Sequence, residues 1–80
     1  MLPVNYSECG ATGAADTVDI AVPGIKSGNL LLAVVQWSPG ADAVGLAVSD
    51  FTVADNKITA GTLDTTGKSL WVMWCEDRTP

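Results

Sequence analysis

The segment LWVMWC, residues 70 to 75, is apolar at every position in a chain of only 80 residues. Successive side chains of a strand point to opposite faces of the sheet, so a strand with one solvated face normally alternates apolar and polar residues. Here each face of the strand would carry three apolar side chains: Leu70, Val72 and Trp74 against Trp71, Met73 and Cys75. A chain this short builds one small core, so something other than that core must cover the second face.

A second segment, LLLAVVQW at residues 30 to 37, is also apolar on both faces. Strict alternation divides it into two sets: Leu30, Leu32 and Val34 on one side, and Leu31, Ala33, Val35 and Trp37 on the other. No stretch of the chain has the 3.6-residue period of an amphipathic helix. The sequence therefore offers no helix to cover the outer face of either strand.

Shorter strands and turns make up most of the remaining sequence. TVDIAV at residues 17 to 22 alternates as a half-buried strand, and residues 44 to 48 predict a weaker one. FTVADNKITA, residues 51 to 60, predicts a hairpin whose two-residue turn is Asp55-Asn56. We therefore expect an all-β fold, a small antiparallel β-sandwich or barrel of about six or seven short strands.

The first 16 residues, MLPVNYSECGATGAAD, mix small residues, Gly and Pro without a clear period. We interpret residues 1–16 as an extended N-terminal arm and residues 17–80 as the β-sandwich domain. Cys9 of this arm and Cys75 near the other end allow two states. A disulfide would close a loop of about 66 residues, worth roughly 4 kcal/mol, whereas the lack of a visible secretory signal favours two reduced thiols.

The charge balance argues against several partners. Nine acidic residues against four basic ones give a formal net charge of −5, and the basic residues form no cluster. Affinity for a nucleic-acid backbone or for an anionic membrane comes from Lys and Arg. We therefore expect no nucleic-acid partner and no membrane partner.

The chain carries little that suggests catalysis, a metal or a cofactor. It has no His, the commonest general base and metal ligand. The segment from Gly61 to Ser69 resembles a phosphate-binding P-loop, but it has five residues between its glycines instead of four and precedes a strand rather than a helix. The Asp residues fall in expected turns and lack the spacing of a calcium-binding EF-hand loop, so we predict no catalytic residue, no metal site and no cofactor: Asp16, Asp42, Asp50, Asp55 and Asp64.

The three Trp residues leave two functions open. Trp71 and Trp74 have opposite parity, so only one of them can point into the core. An outward apolar face is typical of protein–protein contact, for which closed homo-oligomers are the default, whereas Trp37 or Trp71 on a sandwich surface would also suit stacking on a sugar ring. The residues that we predict at an interface are Leu2, Val4, Tyr6, Trp37, Trp71, Met73 and Trp74.

Residues 17 to 76 also resemble a known group of proteins. The stretch VDIAVPGIKSGNLLLAVVQW, the SPGA loop, the FTVADNKITA hairpin and the C-terminal strand are similar to small capsid decoration, or cement, proteins of tailed bacteriophages. This resemblance implies a non-enzymatic virion protein, often a homotrimer, that binds the outside of the capsid and clamps neighbouring major capsid proteins. It implies assembly in the host cytoplasm, and strand addition by an arm containing Leu2, Val4 and Tyr6 is one mode of attachment. A carbohydrate-binding β-sandwich module or a tail or head-fibre component is the alternative.

Overall fold

The computed structural model describes residues 6–76 and contains two antiparallel sheets. The four-stranded sheet has the order β1-β7-β3-β4, and the three-stranded sheet has the order β2-β6-β5. The strands are β1 (Tyr6–Thr12), β2 (Asp19–Ala21), β3 (Leu30–Trp37), β4 (Val44–Leu46), β5 (Phe51–Ala54), β6 (Lys57–Ala60) and β7 (Ser69–Cys75). A single 3₁₀ turn at Val48–Asp50 precedes β5. The predicted all-β sandwich is confirmed.

The core lies between the two sheets and takes side chains from both. The three-stranded sheet and the loop that follows β2 supply Ile20, Val22, Ile25, Phe51, Ile58 and Ala60. The four-stranded sheet supplies Leu31, Val34, Leu70, Val72 and Trp74. Since these eleven buried residues form one continuous cluster, the other side of the four-stranded sheet receives no cover from the three-stranded one.

The predicted hairpin is confirmed in both register and turn. β5 pairs with β6 so that Ala54 lies opposite Lys57, which leaves Asp55-Asn56 as the connection. Asn56 adopts a φ of 61°, the left-handed conformation that Asn tolerates better than most residues. Its side-chain oxygen accepts a hydrogen bond of 3.0 Å from the backbone N–H of Gly24, which ties this turn to the loop that follows β2.

The assignment of an extended arm is wrong for residues 6–12. They form β1, and each of them has a partner on β7, from Tyr6 opposite Cys75 to Thr12 opposite Ser69. The inward positions of β1 are small because they pack at the margin of the core, where Cys9 and Ala11 contact it. Such residues lack the Val and Ile alternation by which a strand is normally predicted. Leu2 and Val4 lie outside the described residues.

Strict alternation is also wrong for β3. Leu31 pairs with Trp74, but Met73 is opposite Ala33, so a bulge at Leu32 inserts one extra residue. The bulge brings Leu31 and Val34 to the core together and leaves Leu30 and Leu32 exposed. Trp37, at the end of the strand, is also exposed.

Candidate functional site

The outward side of the four-stranded sheet is a broad apolar surface, which we call the outer face. Its centre is β7, where the side chains alternate between core and surface as their parity predicts. Trp74 is 5% exposed in the core, whereas Trp71 is 36% exposed on the opposite side. The expectation that these two residues leave the strand on different faces is therefore confirmed, and it is Trp71 that points outward.

The strand register arranges the outer face in rows across the sheet. Each row has a β7 residue flanked by one residue of β1 and one of β3. In order along β7, the rows are Thr12-Ser69-Trp37, Gly10-Trp71-Val35, Glu8-Met73-Ala33 and Tyr6-Cys75-Leu30. Leu32, the residue that the bulge inserts between Leu31 and Ala33, is exposed and is included with these rows. We define the outer face by these residues.

Five large hydrophobic side chains of the outer face are exposed: Tyr6, Leu30, Leu32, Trp37 and Trp71. Met73, Val35 and Cys75 lie between them and are half-buried. Glu8 is the one charged side chain in the four rows. A single contiguous surface of this kind is unusual for a chain that remains alone in water, where large apolar patches mark sites of contact.

Trp37 and Trp71 are diagonal neighbours on this surface. Trp37 lies opposite Ser69, two positions along β7 from Trp71. Diagonal residues on adjacent antiparallel strands are roughly 7–8 Å apart, within reach of aromatic side chains. Gly10, the β1 residue opposite Trp71, has no side chain and leaves that flank of the indole uncovered.

The structure separates the predicted interface residues into three groups, of which one, Leu2 and Val4, lies outside the described residues. Tyr6, Trp37, Trp71 and Met73 are brought together on the outer face. Trp74 is a core residue, so its assignment to an interface is wrong. Leu30 and Leu32 belong to the exposed surface but were not singled out from the sequence, since their position depends on the bulge. The sequence signal for Leu30 and Leu32 is that residues 30 to 35 are apolar on both faces of the strand, so some of them must lie outside the core.

Three of the predicted turn carboxylates accept hydrogen bonds from neighbouring backbone. The Asp50 carboxylate accepts from the backbone N–H groups of Thr62 and Leu63, at 3.1 and 3.0 Å, and from the Thr62 hydroxyl at 2.7 Å. These bonds, that of the Thr62 backbone foremost, hold the pKa of Asp50 below its usual value. Asp55 accepts from the Ser27 N–H at 2.9 Å. The Thr66 hydroxyl and N–H similarly lower the pKa of Asp64.

Asp19 makes an exposed ion pair across β2 and β6. Its carboxylate lies 3.2 Å from the Lys57 ammonium and accepts a 3.0 Å hydrogen bond from the Thr59 hydroxyl. The Lys57 bond is the main cause, and the Thr59 bond the next, of a pKa for Asp19 below its ordinary value. Each of these carboxylates thus has a partner that explains its position.

The two cysteines are both free thiols. Cys9 lies opposite Val72, three positions along β7 from Cys75, and it packs against the core while Cys75 belongs to the outer face. Side chains on opposite faces of a sheet cannot meet in a disulfide. Partial burial raises the pKa of the Cys9 thiol. Of the two states allowed by the sequence, the structure has the reduced one.

Two clefts on the described surface are small. One of about 290 Å³ lies where β1 begins and β7 ends, lined in part by Tyr6, Lys26, Asn29 and Trp74. Another, of about 280 Å³, is an open depression beside Trp37 and Thr12. Both fall at the lower limit of ligand-binding pockets. Within residues 6–76, no three His, Cys, Asp or Glu side chains are grouped so that they would hold a metal ion.

Two further observations concern membrane spans and similarity to known proteins. Among the described residues, no helix has the length and hydropathy needed to cross a membrane. Comparison of the chain with protein-family models, with curated proteins and with solved structures finds no match. The class that the fold and its surface define is therefore a small β-sandwich with one broad apolar sheet face.

Proposed function

We propose that this chain is a non-enzymatic structural protein that associates with copies of itself through the outer face. The observation that supports this proposal is the group of exposed apolar side chains around Trp71 on the outer face. These side chains lie on the side of the sheet that faces away from the core. A stable protein–protein interface buries ~800 Å² per partner. A contact centred on Trp71 and extending to Trp37 and Tyr6 would use Trp and Tyr side chains, two of the types that most often dominate interface energetics.

The charge distribution is compatible with such an assembly. Glu8 is the one charge within the rows, and it lies on the edge strand rather than at the centre. The remaining described carboxylates lie off the outer face, on β2 and in the loops and turns. They keep the free protein soluble through its negative net charge while leaving the centre of the contact free of like charges.

We propose that the protein which assembles in this way is a capsid decoration protein of a tailed bacteriophage. It rests on the resemblance of residues 17 to 76 to that group, which implies a homotrimer on the outside of the phage head. Such an oligomer would bind several major capsid proteins at once. Simultaneous contacts convert weak individual contacts into stable attachment, so clamping the shell needs no catalytic chemistry.

Capsid binding is tested with shells of the virus that encodes this chain, prepared without it. The purified protein is mixed with the shells and sedimented. We expect saturable co-sedimentation at a fixed ratio to the major capsid protein, and a rise in the temperature at which the shells break open. Protein that stays in the supernatant at every concentration contradicts the decoration proposal without affecting self-association, which is measured separately on the free protein. A tail or head-fibre role predicts the same self-association but binding to another part of the virion.

Carbohydrate binding is the second candidate, supported by the diagonal arrangement of Trp37 and Trp71 on an open sheet face. Two neighbouring indoles form an apolar platform of the kind on which sugar rings stack. Titration of the protein with a panel of glycans, followed by Trp fluorescence, separates the two functions. A saturable shift that Trp71→Ala abolishes supports this candidate, and an unchanged spectrum across the panel excludes it.

A further inference from the structure

The outer edge of β1 is a second surface with the properties of a contact site. β1 is seven residues long and lies at the edge of its sheet, paired with β7 on one side. No strand within residues 6–76 pairs with its other side. An edge of this kind presents unpaired backbone donors and acceptors, which form a template for another strand.

The hydrogen-bonding pattern identifies the open groups. The Gly13 N–H donates to the Lys68 carbonyl at 2.9 Å, which continues the ladder between β1 and β7. In an antiparallel pair the residues alternate between those that bond to the neighbouring strand and those whose backbone groups point away. Odd-numbered residues of β1 therefore bond to β7. The backbone N–H and C=O groups that point away from β7 are those of Tyr6, Glu8, Gly10 and Thr12.

This edge is the longest of the four and has little protection. The other edge strands, β2, β4 and β5, have three, three and four residues. Proteins usually block an exposed edge with Pro, Lys, a bulge or a short strand. β1 has none of these, and its sequence YSECGAT carries one charge, at Glu8.

We propose that β1 pairs antiparallel with β1 of a second copy of this chain, across a two-fold axis at Cys9. This contact lies beyond the proposed function and does not depend on it, because it uses backbone groups at the edge rather than side chains of the outer face. Tyr6 lies opposite Thr12 of the second copy, and Glu8 opposite Gly10. The two four-stranded sheets then form one eight-stranded sheet, and their outer faces join into one surface because outward residues pair with outward residues.

The position of Glu8 selects this register. The open backbone groups belong to even-numbered residues, so registers that satisfy them differ by two residues in their pairing. A shift in one direction places Glu8 directly opposite Glu8 of the second copy, which is destabilising. A shift in the other direction leaves Tyr6 unpaired and shortens the ladder to five residues. The register centred on Cys9 uses all seven residues and avoids both costs.

Cys9 provides a direct test of the register. As an odd-numbered residue it forms a non-hydrogen-bonded pair with Cys9 of the second copy, with Cα atoms about 4.5 Å apart. That separation is within the range of a disulfide. Cys75 is the control, because β7 of one copy and β7 of the other lie three strand spacings apart, roughly 14 Å, too far for a bridge.

The experiment uses mild oxidation of the full-length Cys75→Ser and Cys9→Ser variants, followed by non-reducing electrophoresis. We expect a covalent dimer from Cys75→Ser and none from Cys9→Ser. Trp71→Ser combined with Cys75→Ser should still give the dimer, since the edge contact does not involve the outer face. Absence of the dimer from Cys75→Ser, at a concentration where its circular dichroism shows that it is folded, overturns the proposal.

A proline variant tests the backbone contact independently of oxidation. The Glu8 N–H points away from β7, so Glu8→Pro with Cys75→Ser should leave the fold intact and reduce the covalent dimer at least tenfold. Glu8→Ala in the same background keeps the N–H and should form the dimer as readily as Cys75→Ser alone. Equal cross-linking of a folded Glu8→Pro variant overturns the proposal. Should Glu8→Pro fail to fold, Gly10→Pro takes its place, since its N–H also points outward.

Discussion

Trp71 and Trp74 lie three residues apart on β7 and on opposite sides of the same sheet. Trp74 completes the core between the two sheets, and Trp71 is the centre of the outer face. One strand thus has two roles that are separable by mutation. Its inward side chains hold the domain together, and its outward side chains are available for contact with another molecule.

The first prediction compares these two residues. Trp74→Ala removes a large core side chain and should lower the free energy of unfolding by ~3–5 kcal/mol. Trp71→Ala removes a partly exposed one and should lower it by about 1 kcal/mol, while weakening self-association much more strongly. Urea unfolding and light scattering on both variants measure the two effects. Both substitutions could instead destabilise the domain while the protein that remains folded keeps the oligomeric state of the unmodified chain. That result would show that β7 does not contribute to an interface.

Gly13 should be intolerant of any side chain. A Cβ atom at this position would clash with the backbone oxygen of Thr65. Thr65 cannot retreat easily, because it is buried and its hydroxyl and N–H both bond to Ala14. We expect Gly13→Ala to destabilise the domain by at least ~2 kcal/mol, as overpacking does in a dense interior. Gly45→Ala is the matched control, since nothing lies within 4 Å of its Cβ, and thermal unfolding of the two variants should differ clearly.

Asn56 should contribute through both its backbone and its side chain. Asn56→Ala loses the hydrogen bond to the Gly24 N–H and places Ala at a positive φ, so we expect a loss of ~2 kcal/mol. Asn56→Gly relieves the backbone conformation but not the lost bond and should cost about half as much. Chemical denaturation ranks the three proteins. A glycine variant as unstable as the alanine variant would show that the hydrogen bond, and not the backbone conformation, accounts for the loss.

Acid should weaken the domain through Asp50. Its pKa is lower in the folded chain than in the unfolded chain, where it is ~3.9. The unfolded state therefore takes up the proton first as pH falls. The stabilisation is fully present above about pH 5, and it is lost as the pH falls through the unfolded pKa and then the folded one. Asp50→Asn should be less stable near neutral pH and should have a flatter pH dependence below pH ~5 in urea titrations. Parallel curves for the two proteins would show that Asp50 does not supply this dependence.

Some parts of the fold could be predicted because a local pattern determined them. The hairpin followed from Asp55-Asn56 between two short alternating runs, and the two sides of β7 followed from parity alone. In both cases the decisive residues are within a few positions of each other. The outer face could also be expected. The apolar residues on both faces of β7 are adjacent in sequence, and the core of so short a chain cannot cover two faces of one strand.

The parts that could not be predicted depend on distant contacts. β1 contains Gly10 and Ala11 where a strand usually has Val or Ile, and it becomes a strand because β7 offers it an edge. The bulge at Leu32 depends on how β3 meets β7 and is not visible in LLLAVVQW itself. As a result, Leu30 and Leu32 joined the outer face, and Tyr6 became part of a sheet instead of a free arm.

The most direct test of the account is the solution mass of the unmodified protein, measured by light scattering on a sizing column across a tenfold range of concentration. Self-association through the outer face predicts a closed oligomer, a trimer on the resemblance to decoration proteins. Its mass should fall in Trp71→Ser to that of the monomer or, where the β1 edges pair, to that of the edge dimer. A protein that is monomeric throughout the range, and unchanged by Trp71→Ser, would contradict the central claim that copies of this chain cover the face around Trp71.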